Sequence, residues 1–190
     1  MNHLSVEQTT ALHPWNERGE IDAPGLENWV QGRLARQRDQ IDTLLAVDGE
    51  KTLENTLRPY DDAVATLGAT GSLASLLDSV YPDKAVRDKA RELTQAVAEA
   101  ATSLSLNQEV YRALAAIDLS ALDPTVDPGT RHYVNQTLLN YRLAGVDKDD
   151  DTRGHLRELS DKATELFHQY PSTSTLTFAA ADGVVNVPSV

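Results

Sequence analysis

Val86, Ala90, Leu93, Val97, Ala101 and Leu104 recur at steps of four, three, four, four and three residues. Only one face of an α-helix has that spacing, because a half-buried strand alternates and a loop has no period. A helix with such a stripe must bury it against other stripes of the same kind, so the expected fold is an all-α bundle. Pro82 and Asp83 just ahead of the stripe mark its start, a proline and a carboxylate at the positive end of the helix dipole.

The same signal repeats along the chain. After Pro24, Leu26, Val30, Leu34, Ile41, Leu44 and Leu45 predict a helix ending near Asp48 and Gly49. Thr52, with Asn55 three residues on, opens a second, striped by Leu53, Leu57, Tyr60, Val64 and Leu67. Pro59 inside that stripe is expected to bend it. Residues 68–71, bounded by Gly68 and Gly71, are expected to close it as a helix–helix turn, leaving Leu73, Leu76, Leu77 and Val80 as a short third helix. Asn107 is placed to cap a fifth, with Val110, Leu114 and Ile117. A turn region from Asp123 to Pro128 precedes a sixth with Val134, Leu138 and Tyr141, stopped by Gly145. Leu156, Leu159, Ala163, Leu166, Phe167 and Tyr170 define a seventh.

The organisation read from this is a polar lead-in over residues 1–23, a helical domain over 24–170 and a tail over 171–190. Seven mostly antiparallel helices fill the domain. The tail holds no Lys, Arg or Glu, and its β-branched residues cluster, so it is read as irregular or as a short hairpin turning at Asp182 and Gly183. The core has to be built from Leu, Val and Ala, because the 190 residues include only two Phe and two Trp.

Composition excludes several function classes. With no cysteine, there is no disulfide framework, thiolate zinc finger, iron–sulfur site or Cys nucleophile. A net charge of −12 repels phosphate backbones and anionic surfaces, so neither nucleic acid nor membrane is an expected partner. No apolar run is read as approaching the length of a membrane span. Met1 to Asn16 has no cationic start or apolar stretch, so the expected location is cytoplasmic.

The chemistry-bearing residues form no recognisable catalytic motif. His3, His13, His132, His155 and His168 are scattered, and none belongs to a His-Glu-x-x-His helix. Asp147, Asp149, Asp150 and Asp151 lack the alternation and glycine offset of a calcium loop and are read as carboxylates gathered at a helix N-terminus. Gly68-Ala69-Thr70-Gly71-Ser72 lacks the lysine of a phosphate loop. Tyr81, Tyr111, Tyr133 and Tyr141 are read as core or core-edge residues. No catalytic, metal-binding or cofactor-binding residue is assigned, and the peptide-facing residues, if the chain has any, are unknown.

Three stretches together resemble one family. They are Thr52-Leu53-Glu54-Asn55-Thr56-Leu57-Arg58-Pro59-Tyr60, then Val80-Tyr81-Pro82-Asp83-Lys84-Ala85-Val86-Arg87 with Ser105-Leu106-Asn107-Gln108-Glu109-Val110-Tyr111 downstream, and finally Tyr133-Val134-Asn135-Gln136-Thr137-Leu138-Leu139-Asn140-Tyr141-Arg142-Leu143-Ala144-Gly145-Val146. In order and separation they look like the N-terminal helical region of the thimet oligopeptidase family of zinc metallopeptidases, which includes oligopeptidase A, the dipeptidyl carboxypeptidases and the mitochondrial intermediate peptidase. The likeness spans about residues 25–168, and its most specific piece is the Tyr-Arg-Leu-Ala-Gly end of the third stretch.

That resemblance implies one wall of a channel that admits short, unstructured peptides. In the family the zinc site, a His-Glu-x-x-His helix with a downstream Glu, lies in the C-terminal part. None of its residues has a counterpart here, so none is carried over. The family pattern also breaks after Phe167, where His168, Gln169, Tyr170 and Pro171 lead into the tail. The expected function is a non-catalytic helical domain that shapes the substrate channel of a zinc oligopeptidase, its partners being the catalytic portion or short peptides. The alternative is a free-standing helical interaction or scaffold module that self-associates through an exposed apolar face.

Overall fold

A computed structural model describes residues 13–16, 18–119, 128–169, 176–180 and 183–187, with side chains as far as residue 166. Its elements are α1 (Ala23–Leu45), a π-helical turn (Leu53–Leu57), α2 (Arg58–Val80), α3 (Lys84–Ser105), α4 (Gln108–Ala115), α5 (Pro128–Leu143) and α6 (Asp150–Gln169). Two short strands follow, β1 (Leu176–Ala180) and β2 (Gly183–Val187), paired antiparallel with Leu176 opposite Val187. The fold is all-α.

The helix starts follow capping chemistry. Asp22 caps α1 by accepting from the Gly25 amide at 2.7 Å, with Pro24 in the first turn. Asp83 caps α3 through the Ala85 amide at 2.8 Å. Pro82 stands just outside the helix rather than in its first turn. Asn107 Oδ1 accepts from the Glu109 and Val110 amides and starts α4. Each satisfies backbone N–H groups that have no carbonyl partner one turn back.

Thr52 and Asn55 form a reciprocal capping box, and a single π turn runs directly on into α2, whose second residue is Pro59. The chain is helical from Leu53 onward, so Pro59 withholds one backbone donor, and the wider turn before it makes room for the ring. One expectation about this helix is corrected: residues 68–71 do not form a helix–helix turn. The helix runs straight through Gly68 and Gly71, and the described residues therefore hold six α-helices where seven were expected.

Gly71 faces α3, where an added Cβ would sit 3.3 Å from Val97 Cγ1. The glycine thus serves close helix packing rather than chain reversal. Joining the two apolar stripes also corrects the expectation about span length. Leu53–Val80 is long and apolar enough, by length and composition alone, to cross a membrane. In the fold it packs between α1 and α3.

Helices α1, α2 and α3 each touch the other two and form the centre of the molecule. Helix α6 lies on α3, α4 lies on α1, and α5 on α4. The core joins Leu26, Val30 and Leu44 of α1 to Leu93 of α3 and Leu114 of α4, all fully buried. Each such side chain contributes about 1.5–3 kcal/mol on burial. Ile21, ahead of α1, also enters this core and is only 5% exposed. Its backbone is held by Tyr81, whose hydroxyl accepts from the Ile21 amide at 2.9 Å and donates to its carbonyl at 3.0 Å. The expected turn at Asp123 and Pro124 lies outside the described residues.

Candidate functional site

The glycines of α2 leave a groove between α2, α3 and α5 of about 480 Å³. Val64, Leu67 and Gly68 line it from α2, and Val97 and Ala101 from α3. Tyr60 and Tyr141 line it where α5 meets α2. No charged residue lines it. On a chain with a net charge of −12 that absence selects for neutral groups.

Tyr141 is the centre of an aromatic cluster. Its ring centroid lies 6.1 Å from that of Tyr60 and 6.0 Å from that of Tyr111, both tilted, which suits the opposed edge and face charges of the rings. Burial pushes its phenol well above the ordinary tyrosine range, and the neighbouring Tyr60 hydroxyl pushes it the same way. The Tyr141 hydroxyl is itself buried and makes no hydrogen bond of ordinary geometry, although it lies close enough to interact with Tyr60.

A second, polar hollow of about 610 Å³ opens where the π turn and the start of α2 face α5. Glu54, Arg58, Asp61 and Tyr133 line it. Arg58 and Glu54 pair at 2.9 Å, and Tyr133 donates to Asp61 at 2.9 Å. Burial raises the Tyr133 phenol first, and the Asp61 carboxylate adds to it, because removing the proton would cost the hydrogen bond. Glu54, Arg58, Asp61 and Tyr133 are therefore already engaged in pairs.

The tyrosines read from the sequence as core or core-edge take different roles. Tyr141 is core, Tyr111 packs against it, Tyr133 bridges to Asp61, and Tyr81 pins the segment before α1. Among the described residues the histidines do not converge. His132 and His155 are exposed on α5 and α6, and His13 stacks edge-on against Trp15 at 5.1 Å. His3 lies outside the described residues, as does the side chain of His168. The aspartates behave as helix-start carboxylates. Asp149 accepts from the Thr152 amide at 2.8 Å and from its hydroxyl at 2.9 Å, Asp150 pairs with Arg153, and Asp147 pairs with Lys148.

Among the described residues no three His, Asp or Glu side chains come close enough to hold a metal ion. The donor set that a catalytic zinc requires does not fit these residues. The groove was not foreseen from the sequence, because Gly68 and Gly71 were read as a turn. The available signal was their three-residue spacing inside a continuing apolar stripe.

Comparison with known proteins gives a partial likeness. No family model matches the chain. The chain is similar to mitochondrial intermediate peptidase. It is 23% identical to the protein of Homo sapiens over 154 residues, which is 78% of this chain and 22% of that protein. It is also 23% identical to the Rattus norvegicus protein over 112 residues and to the Pongo abelii protein over 113 residues, each 58% of this chain and 16% of the relative. The chain thus spans about a fifth of the length of the curated relatives it matches.

Proposed function

We propose that this chain is the helical, non-catalytic segment of a zinc oligopeptidase and that it forms one wall of the channel through which short peptides reach the metal. The observation that carries this reading is the extent of the likeness to the human mitochondrial intermediate peptidase. A match over 78% of the chain includes all of α2, α3 and α4 and α5 wherever it begins, so the similarity follows an arrangement of helices rather than one amphipathic stripe.

The test is to combine this chain with the separately produced part of the human peptidase outside the matched stretch. The proposal expects a one-to-one complex by sedimentation, and a catalytic part that becomes selective for short peptides over unfolded proteins once the wall is in place. No complex, together with unchanged size selection, contradicts it.

A second reading, the self-associating interaction module, rests on exposed apolar side chains. Leu143 on α5 is 77% exposed, and Val80 and Leu166 are also well exposed. Sedimentation of the isolated chain over a range of concentrations separates the readings, since the module requires a concentration-dependent oligomer and the wall does not.

A further inference from the structure

We infer that Arg33 and Arg36, one turn apart on α1 where it runs beside α2, form a binding site for a carboxylate carried on a small apolar body. This does not rest on the peptidase reading. The observation behind it is a partly buried charge with no counter-charge. Of the other partly buried cations among the described residues, Lys89 pairs with Glu92 and Arg153 with Asp150, and Lys51, Arg87 and Arg131 donate to backbone carbonyls. Arg33 is partly buried and has neither a carboxylate nor a carbonyl among the described residues. This happens on a chain whose 29 acids outnumber its 17 Lys and Arg. Burial first, and then the Arg36 charge, disfavour the Arg33 cation. A bound anion relieves both costs.

The Arg33 guanidinium is held in place for such a ligand. It lies over the Trp29 ring, 5.9 Å from its centroid, and Nε donates to Thr70 Oγ1 at 3.4 Å. The Thr70 hydroxyl gives its own proton to the Thr66 carbonyl at 2.6 Å, so a lone pair is left for the arginine. One of five N–H donors is thereby used. The two terminal nitrogens make no hydrogen bond among the described residues and are not sealed from solvent. Arg36 is exposed and likewise unpaired among the described residues. Gln40, one turn further, accepts from the Thr66 hydroxyl at 3.2 Å, which fixes this face of α1 along α2. Leu73 and Leu76 follow Thr70 on α2 and supply apolar surface, Leu76 being well exposed.

A guanidinium presents a planar fork that matches the two oxygens of a carboxylate. A dianion would meet the repulsion of a net charge of −12 twice over, and a neutral ligand would leave the two cations unanswered.

The experiment titrates the full chain at neutral pH and constant ionic strength with phenylacetate, its neutral analogue phenylacetamide, acetate and inorganic phosphate, followed by amide and arginine Nε–H NMR shifts. Phenylacetate is expected to bind most tightly, with shifts confined to α1 around residues 29–40, α2 around residues 66–76 and the Arg33 Nε–H. Arg36→Gln should weaken it about fivefold, the upper yield of one solvent-screened ion pair, with Arg36→Lys intermediate because the charge remains and the fork is lost. Arg36→Glu places a carboxylate one turn from Arg33 and should abolish binding, with a urea midpoint no lower than the parent's because Arg36 has no partner to lose among the described residues.

Absence of shifts along this seam overturns the proposal. Phenylacetamide binding as well as phenylacetate also overturns it, since the surface would then be merely apolar. Phosphate binding more tightly than phenylacetate refutes the carboxylate assignment, and a folded Arg36→Glu protein that binds phenylacetate as before refutes the site.

Discussion

Gly145 joins α5 to α6, and the structure fixes what any side chain there would cost. Its φ is +93°, in the left-handed region. Its amide donates to the Arg142 carbonyl at 3.1 Å, and the Val146 amide donates to the Tyr141 carbonyl at 3.1 Å, the paired bonds of a Schellman ending. This turn buries Val146 and sets the direction in which α6 leaves. A Cβ at Gly145 would stand 2.5 Å from Leu156 Cδ1.

Gly145→Ala therefore carries two penalties. The left-handed backbone costs about 1–2 kcal/mol for an L-residue. Displacing the Leu156 methyl adds about 1–2 kcal/mol, the low end for overpacking, since Leu156 is only half-buried and can turn aside. The expected loss is about 2–4 kcal/mol, or about 4–16 °C in Tm for a chain of this size. Gly68→Ala is the opposite case, an interior helical glycine with open space around it, and should stabilise by about 0.5–1 kcal/mol. Urea unfolding followed at 222 nm reads both. A Gly145→Ala protein within about 0.5 kcal/mol of the parent would refute the turn geometry and the packing of Leu156 on it.

Thr52→Ala should cost about 1 kcal/mol, because the Asn55 amide loses its acceptor at 3.2 Å, and the same unfolding assay checks it. Tyr81→Phe leaves the Ile21 backbone without its two partners and should cost about 1–3 kcal/mol, read as faster amide exchange at Ile21 than at core positions of α1. Leu93→Ala, at the centre of α3, should cost about 2–5 kcal/mol by cavity formation and lower the urea midpoint without changing the slope. The amide and hydroxyl of Thr152 hold the Asp149 carboxyl below the usual aspartate range. With the folded value depressed, this contribution is present above the unfolded aspartate value of about 3.9 and is lost as pH falls through the folded one. A carboxyl NMR titration of Asp149 should give a midpoint below that value, rising in Thr152→Val.

The α3 stripe was legible in all but one position: Val86, Ala90, Leu93, Val97 and Leu104 are buried in the helix they predicted, and Ala101 is exposed. Asn107 and Gly145 were legible for the same local reason: a cap and a left-handed stop depend on few neighbours. Gly68 and Gly71 were misread because a glycine pair serves both turns and close helix approach, and only the position of Val97 decides between them. Pro59 was legible as a disturbance inside a helix, and the disturbance takes the form of a π turn just before it. The groove was invisible for a deeper reason. It is made by residues that α2, α3 and α5 bring together from distant parts of the chain, and no spacing within one helix encodes that meeting.

The central claim is that these residues form a helical wall and carry no peptidase chemistry of their own. The most direct measurement is the zinc content of the purified chain supplied with zinc, taken together with cleavage of a quenched fluorescent oligopeptide. The account predicts no stoichiometric zinc and no turnover. Bound zinc with turnover that a chelator abolishes would contradict it, because scattered histidines and carboxylates would then have to converge on a site that the fold described here does not build.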